Sequence, residues 1–481
     1  MNRAMRKTAV SAALPAALLA ALLLTACAPL PRAVPDNAQV QLPDTWTEAA
    51  TDTTDTTDKL PSDWWRQLGD AQLDALVDEA LAHNNDLLTA LARVDEARAN
   101  WAGFDAARSP ILNASAGAQT GRSLGAFGPT QTRSVQPGLQ ASWELDLWGR
   151  LSQQSQAAGQ RLQASQADRD AVALSVAAAT VQTYVDLRSL QEQWRIAQAT
   201  VQSRTRALAL AQDQQRVGYT SQLQLTQAEA ELHSVQQQAQ QLDLAIQRQA
   251  SALNLLLGRA GGRIPAGATL QELRLPPVPA SLPSQLLERR PDIARAAHLL
   301  VAADHTLQAQ RAAFMPQVSL SASAGSLIIN ALDYNPLTVW SLGGSLLAPL
   351  FDGGRREAAL DAATAQRDQA AYAYRGTVLS AFADVETALT GNVRLAQQTR
   401  QAVQRREVLQ RSLGFAHDRY EAGYASYLEE LDAQRNLFQA ELAVATLRQA
   451  ELDNRVQLYK ALGGGWKNTD KNRPERLSEK R

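Results

Sequence analysis

Residues 135–147 read Val-Gln-Pro-Gly-Leu-Gln-Ala-Ser-Trp-Glu-Leu-Asp-Leu. Val135, Leu139, Ala141, Trp143, Leu145 and Leu147 are apolar, and Gln136, Gln140, Ser142, Glu144 and Asp146 lie between them. Alternation with period two puts the first set on one face of a strand and the second on the other. Ordinary strands average about 5–6 residues. This one has the length of about 9–11 residues that takes a tilted strand across a bilayer. Downstream, residues 151–216 hold no proline and one glycine, Gly159; as a helix they would reach ~100 Å. Gly218 and Tyr219 interrupt, and a second helix of ~55 Å is expected over residues 222–257, with Gly258 as its C-cap. Upstream, Leu73, Leu76, Val77, Ala80 and Leu81 recur at helical spacing and predict a helix over residues 71–108, ended by Pro110. A weak strand over 111–121 and a Gly-rich loop over 121–130 complete the unit.

Nearly all of this returns about 205 residues later. Leu257-Gly258-Arg259 recurs as Leu462-Gly463-Gly464, Val217-Gly218-Tyr219 as Ala422-Gly423-Tyr424, and Trp148-Gly149-Arg150 as Gly353-Gly354-Arg355. Pro110 recurs as Pro316, and Asp86, Ala90 and Ala97 as Asp292, Ala296 and Ala303. The offset drifts by about one residue overall, which marks a duplication. The second copy should carry a helix over 284–313, a strand built on Val318, Leu320, Ala322 and Ala324, and another on Trp340, Leu342, Leu346 and Leu350. Long helices over 355–419 and 426–462 follow.

The N-terminus reads as a targeting segment. Arg3, Arg6 and Lys7 precede an apolar run over 9–24, and Leu24-Thr25-Ala26-Cys27 ends it with small residues before a cysteine. Cys27 is the only cysteine of the chain and stands where bacterial lipoproteins are cut and acylated, so disulfides and thiol catalysis are excluded. Ala28 fits outer-membrane sorting, because an aspartate at that position often retains lipoproteins at the inner membrane. The expected organisation is a signal peptide (1–26), a lipidated linker (27–62) rich in Pro, Thr and Asp, and a helical segment (63–110). Strands (111–148), long helices (149–262) and a linker (263–283) follow. The second copy gives helix (284–316), strands (317–352) and long helices (353–465), before a polar tail (466–481).

The fold expected is mainly α with a membrane β part. An open sheet in lipid leaves its edge N–H and C=O groups unpaired, at several kcal/mol each. Membrane barrels close with an even number of strands, from about 8 upward. Four strands per chain therefore demand an oligomer, and a ~100 Å helix likewise needs neighbours along its length. Other chemistry is not indicated. The net charge of −1 points away from nucleic acid. His83, His233, His298, His305 and His417 form no HExxH motif, and there is no GxSxG and no P-loop. No catalytic residue, cofactor or metal site is expected.

At this point the chain resembles the outer membrane efflux protein family, the TolC-like channels, and within it the lipoproteins that serve resistance-nodulation-division pumps. The resemblance runs from Trp64 to Trp466. Its carriers are Leu287-Glu288-Arg289-Arg290-Pro291-Asp292-Ile293, Phe314-Met315-Pro316, Leu350-Phe351-Asp352-Gly353-Gly354-Arg355 and Leu431-Asp432-Ala433-Gln434-Arg435. It implies a homotrimer with a twelve-stranded transmembrane β-barrel and a periplasmic helical tunnel closed at its inner tip. It also implies a periplasmic adaptor and an inner-membrane proton-driven transporter as partners, and a passive duct that catalyses nothing. Two alternatives remain at the level of the residues, the duct of a type I protein secretion system and a coiled-coil scaffold lipoprotein without a pore.

The turns at 216–227 and 421–432 should form the periplasmic tip, with Gly218, Tyr219, Gly423 and Tyr424 facing an adaptor. Ser221-Gln222-Leu223-Gln224 and Ser426-Tyr427-Leu428-Glu429 both fit a capping box, so Glu429 is equally a helix cap. Asp432 stands against Gln227 of the first copy, and Glu429 against Gln224, so acid enters one copy only. Leu428, Asp432 and Arg435 share a helix face. Repeated in a trimer, that face gives a ring of carboxylates selecting cations. A solvated charged face, or an Asp432–Arg435 pair worth a few tenths of a kcal/mol, is the plainer reading. The resemblance implies a constriction made of Leu428, Glu429, Asp432, Tyr420 and Arg435. The family often has an arginine two residues after the tip glycine, and here that position is Ala425.

Overall fold

The computed structural model describes residues 35–38, 45–46, 60–125, 128–278 and 286–466. The signal peptide, Cys27, most of the linker and the tail beyond Trp466 lie outside the described residues. The elements are α1 (Ala71–His83), α2 (Asn85–Ala106), β1 (Ile111–Gly125), β2 (Gly128–Leu145), α3 (Arg150–Arg216), α4 (Gln222–Leu256), α5 (Leu286–Arg289), α6 (Pro291–Ala312), β3 (Gln317–Ile329), β4 (Leu337–Leu347), α7 (Arg355–Glu421) and α8 (Tyr427–Ala461). They form two compact units, and α3 and α7, each of 67 residues, contribute to both.

The first unit, built on Arg93–Gln166 and Arg295–Gly376, holds a four-stranded antiparallel sheet in the order β1-β2-β3-β4. Residues paired across an antiparallel ladder point to the same side. Leu112 pairs with Ala141, Ala114 with Leu139 and Ala118 with Val135. Leu139 faces Ala324, Trp143 faces Leu320 and Leu145 faces Val318, and these continue to Trp340, Gly344 and Leu346 of β4. One side is therefore apolar across all four strands, except towards the β1–β2 hairpin, where Arg122 and Arg133 lie on it. The other carries Asn113, Ser115, Gln119, Gln136, Gln140, Ser142, Ser319, Ser321, Ser323, Ser341 and Ser345. Its apolar exceptions, Ile111, Leu327, Ile329, Leu337, Val339 and Leu347, gather towards the ladder ends.

The ten steps from Val318 to Ile328 rise ~33 Å, which at a tilt of about 45° spans ~23 Å, close to the apolar band of an outer-membrane barrel. The only charged residues of the strands are Arg122 and Arg133 towards the β1–β2 hairpin and Glu144 at the opposite end. Arg150 neutralises Glu144 at 2.8 Å. Among the described residues no helix is long and apolar enough to cross a membrane.

Each strand-to-helix junction uses an aspartate. Asp146 accepts from the N–H groups of Leu151 (2.9 Å) and Ser152 (2.7 Å), capping α3. Its repeat, Asp352, accepts from Gly354 and Arg356 N–H at 3.2 Å and starts α7 in the same way.

Three expectations need correction. The loop expected over 121–130 is largely strand, because the β1–β2 ladder runs on to Gly125 opposite Gly128. The helix expected over 71–108 is broken at Asn84, whose Oδ1 caps α2 by accepting from Asp86 and Leu87 N–H (2.9 and 3.2 Å). The helix expected over 284–313 is broken at Arg290, because Pro291 disfavours helical backbone in the residue before it and suits the first helical position. Leu147 and Leu350 also fall outside β2 and β4.

The second unit, built on Val40–Ala92, Ala167–Ala294 and the chain from Thr377 onward, packs both long hairpins together. Ile196 and Ala197 of α3, Val235, Ala239 and Leu242 of α4, and Phe438 of α8 form one core cluster. Trp64, fully buried, stacks on Tyr459 of α8 with ring centroids 5.5 Å apart. The duplication is repeated here in atomic detail. Asn84 donates to the last carbonyl of α4, Leu256 O, at 3.0 Å. Arg290 donates to the last carbonyl of α8, Ala461 O, at 3.0 Å, and is itself held by Asp292 (2.7 Å) and Asp384 (3.2 Å).

Candidate functional site

The two helical tips are closed by one motif used twice. The N–H of Tyr219 reaches Gln214 O (2.8 Å) and that of Gly218 reaches Gln215 O (3.0 Å), with φ of +79° at Gly218. Tyr424 and Gly423 bond Arg419 O (2.8 Å) and Tyr420 O (3.0 Å), with φ of +76° at Gly423. These are Schellman closures, in which a left-handed glycine satisfies the last carbonyls of a helix. They leave the tyrosines out in solvent, Tyr219 88% and Tyr424 81% exposed, beside Val217, Leu223 and Leu428.

The capping boxes do not close. Ser221 Oγ accepts from Gln224 N–H at 3.2 Å, but Ser426 makes no side-chain cap. Neither long side chain reaches back. Gln224 crosses to the second copy and donates to the Tyr420 hydroxyl at 2.7 Å, and Glu429 lies 3.4 Å from Arg419 Nε. Both therefore tie neighbouring segments instead of their own helix starts. Tyr420 and Tyr427 pack ring against ring at 5.9 Å, over a cluster of Ala211, Ala228 and Leu431.

Arg435 does not pair with Asp432. Its guanidinium binds Glu231 of α4, with Nε at 3.0 Å and Nη2 also on Oε1. This hydrogen bond raises the Arg435 pKa, and the charge of exposed Asp432 adds a lesser pull. Glu231 is buried, so the pair bridges the two copies through a desolvated carboxylate. Behind it, Glu430 is buried and accepts from Gln434 Nε2 at 3.0 Å, with His417 Nδ1 at 3.0 Å. His417 Nε2 also lies 3.3 Å from Glu421. The Glu430 contact leads the causes that raise the His417 pKa above its ordinary 6.5.

The sequence reading named Tyr420, Leu428, Glu429, Asp432 and Arg435, and the tip gathers all of them. It missed Glu231, Glu430 and His417. The repeat comparison held a signal for Glu231, whose equivalent about 205 residues on is the neutral Asn436.

The outer membrane efflux protein family profile matches residues 76–259 and again 282–464, one match per copy. The pyoverdine export outer membrane protein OpmQ of Pseudomonas aeruginosa is 35% identical, over 93% of this chain and 96% of its own length. The probable outer membrane lipoprotein SilC of Salmonella typhimurium is 34% identical, over 84% of this chain and 88% of its own. A crystal structure of CusC superposes with a TM-score of 0.80 at 30% identity, covering 91% of this chain and 99% of that one. These are outer-membrane channels that catalyse nothing, built as homotrimers within tripartite efflux systems. With both copies matched and the whole fold shared, the chain belongs to the outer membrane efflux protein family of TolC-like channels.

Proposed function

We propose that this outer-membrane channel is the passive exit duct of a tripartite pump, and that its tip residues Leu428, Glu429, Asp432, Arg435 and Tyr420 form its periplasmic gate. The observation that carries the reading is the cross-copy clamp of Arg435 on buried Glu231, with Gln224 on Tyr420 beside it. Such links hold the second hairpin against the first, and releasing them frees α8 to swing. Asp432 and Glu429, left exposed, supply a ring of carboxylates in a trimer and make the mouth cation-selective.

The exposed tip turns at Gly218, Tyr219, Gly423 and Tyr424 are the docking points for a periplasmic adaptor, which joins the duct to an inner-membrane resistance-nodulation-division transporter. Cys27 carries the lipid anchor, a reading supported by its position after the apolar run and by the similarity to SilC. The relatives are named for unlike cargoes, pyoverdine, cations and toluene. The Ser/Gln face of the sheet, whose one charged strand residue, Glu144, is paired with Arg150, supports a duct that leaves selection to the transporter.

The test is single-channel recording in planar bilayers. Asp432→Ala should reduce cation selectivity, and Arg435→Ala should raise the open fraction. Unchanged conductance and selectivity in both variants would overturn the gate assignment.

A further inference from the structure

Beneath the Arg435–Glu231 clamp lies a second arginine, two of whose guanidinium nitrogens are buried without a hydrogen-bond partner. Arg204 of α3 is only 3% exposed, and its Nε and Nη1 have no hydrogen-bond partner among the described residues. Burial pushes its pKa down, and Glu231 is the foremost charge acting against that. Tyr427 Oη and Gln434 Oε1 nearby are also unpartnered. Buried donors are nearly always paired, so an orphaned guanidinium in a packed helical interface calls for an explanation. Glu231 supplies one. Its carboxylate is 12% exposed and is held from the outside by Arg435, whose side chain is 49% exposed. An acid this buried resists being left bare when its partner departs.

We propose that Arg204 is the standby partner of Glu231, taking over the carboxylate when Arg435 releases it, so that the tip has two alternative ion pairs built on one acid. In the closed arrangement Glu231 belongs to Arg435 and Arg204 waits. In the open one Glu231 turns inward to Arg204, and Arg435 goes to solvent. Arg204 is then a positioning residue whose hydrogen bonds to Glu231 are made only in the open state, and a group of that kind shifts the equilibrium towards that state. The idea rests on the gate reading above.

The test uses the full-length channel in planar bilayers, with thermal melting in detergent run in parallel. Arg435→Met should raise the open probability about tenfold, and Arg204→Met should lower it by about as much. A lesion that merely loosened packing would raise it. The double variant Arg204→Met/Arg435→Met leaves Glu231 bare and should melt well below either single variant, with Glu231→Gln restoring it. Arg204→Met opening the channel or leaving it unchanged would overturn the exchange. So would a double variant as stable as Arg435→Met. If Arg435→Met and Asp432→Ala both left the channel unaltered, the gate reading itself would fail.

Discussion

Replacing Gly463 with alanine attacks the joint that the duplication built twice. Gly463 has φ of +89°, and an added Cβ would stand 1.9 Å from the carbonyl oxygen of Arg289 and 2.7 Å from its carbon. Gly258, its repeat, has φ of +71°, with His83 O 2.4 Å from the added Cβ. A left-handed alanine alone costs about 1–2 kcal/mol. The clash adds to this, because the obstacle is backbone and must retreat by about 1 Å to reach even a 3.0 Å contact. That retreat pulls Arg290 from Ala461 O, a bond to a charged donor worth about 1.5–3 kcal/mol. Gly463→Ala should therefore cost about 3–5 kcal/mol. Gly258→Ala should cost about 2–3 kcal/mol, since the bond at risk there is the neutral one from Asn84 to Leu256 O. Gly414, within α7, meets nothing within 4 Å, and its alanine should stabilise by about 0.5–1 kcal/mol. Tryptophan fluorescence on heating reads the series directly, because Trp64 is buried against Tyr459 of α8. The expected order of melting is Gly463→Ala, then Gly258→Ala, then wild type, then Gly414→Ala. A Gly463→Ala protein that melted with wild type would refute the close-approach argument.

Other consequences follow from the same geometry. Leu342 lies mid-strand on the apolar face and its neighbour Ser341 on the polar one, so Leu342→Arg should cost about 2–4 kcal/mol per chain and reduce assembly into the outer membrane. Ser341→Arg should assemble normally, as heat-modified mobility on gels would report. His417 has a raised pKa, so its contribution to closure is complete below its ordinary 6.5 and is lost as pH climbs through the raised value. Conductance should thus rise as the pH climbs above 6.5 and through the raised value, and His417→Gln should flatten that response. Asp453 is pushed up to about 7 by burial, then by the charge of Asp186. Its raised value means the folded state holds the proton, so stability falls as pH rises from about 4 to about 7. Asp453→Asn should be more stable than wild type at neutral pH by a few kcal/mol and melt higher, and the gap should close in acid.

The β strands were legible where one face is lipid, because alternation from Leu139 to Leu145 survives only if every second residue meets an apolar medium. The hairpin end of β1 was not, since Gly121, Ser123 and Gly125 read as a loop although their backbone continues the ladder. The breaks at Asn84 and Arg290 were hidden for a different reason. Apolar periodicity runs on across them, and what fixes each break includes a bond to a helix end far along the chain, Leu256 O or Ala461 O. At the tip, the asymmetry of the copies drew attention to Glu429 and Asp432 but paired Arg435 with its sequence neighbour. The true partner, Glu231, lies 204 residues away and is brought close by packing of α8 against α4, which no local spacing records.

The central claim, that solute crosses the membrane along the polar face of these strands, is tested by thiol block in single channels. In a Cys27-free background, Gln140→Cys and Leu139→Cys place a reactive group on opposite faces of β2. A charged methanethiosulfonate reagent should cut the conductance of Gln140→Cys and leave Leu139→Cys unchanged. Block at 139 without block at 140, or no conductance in either channel, would contradict the account.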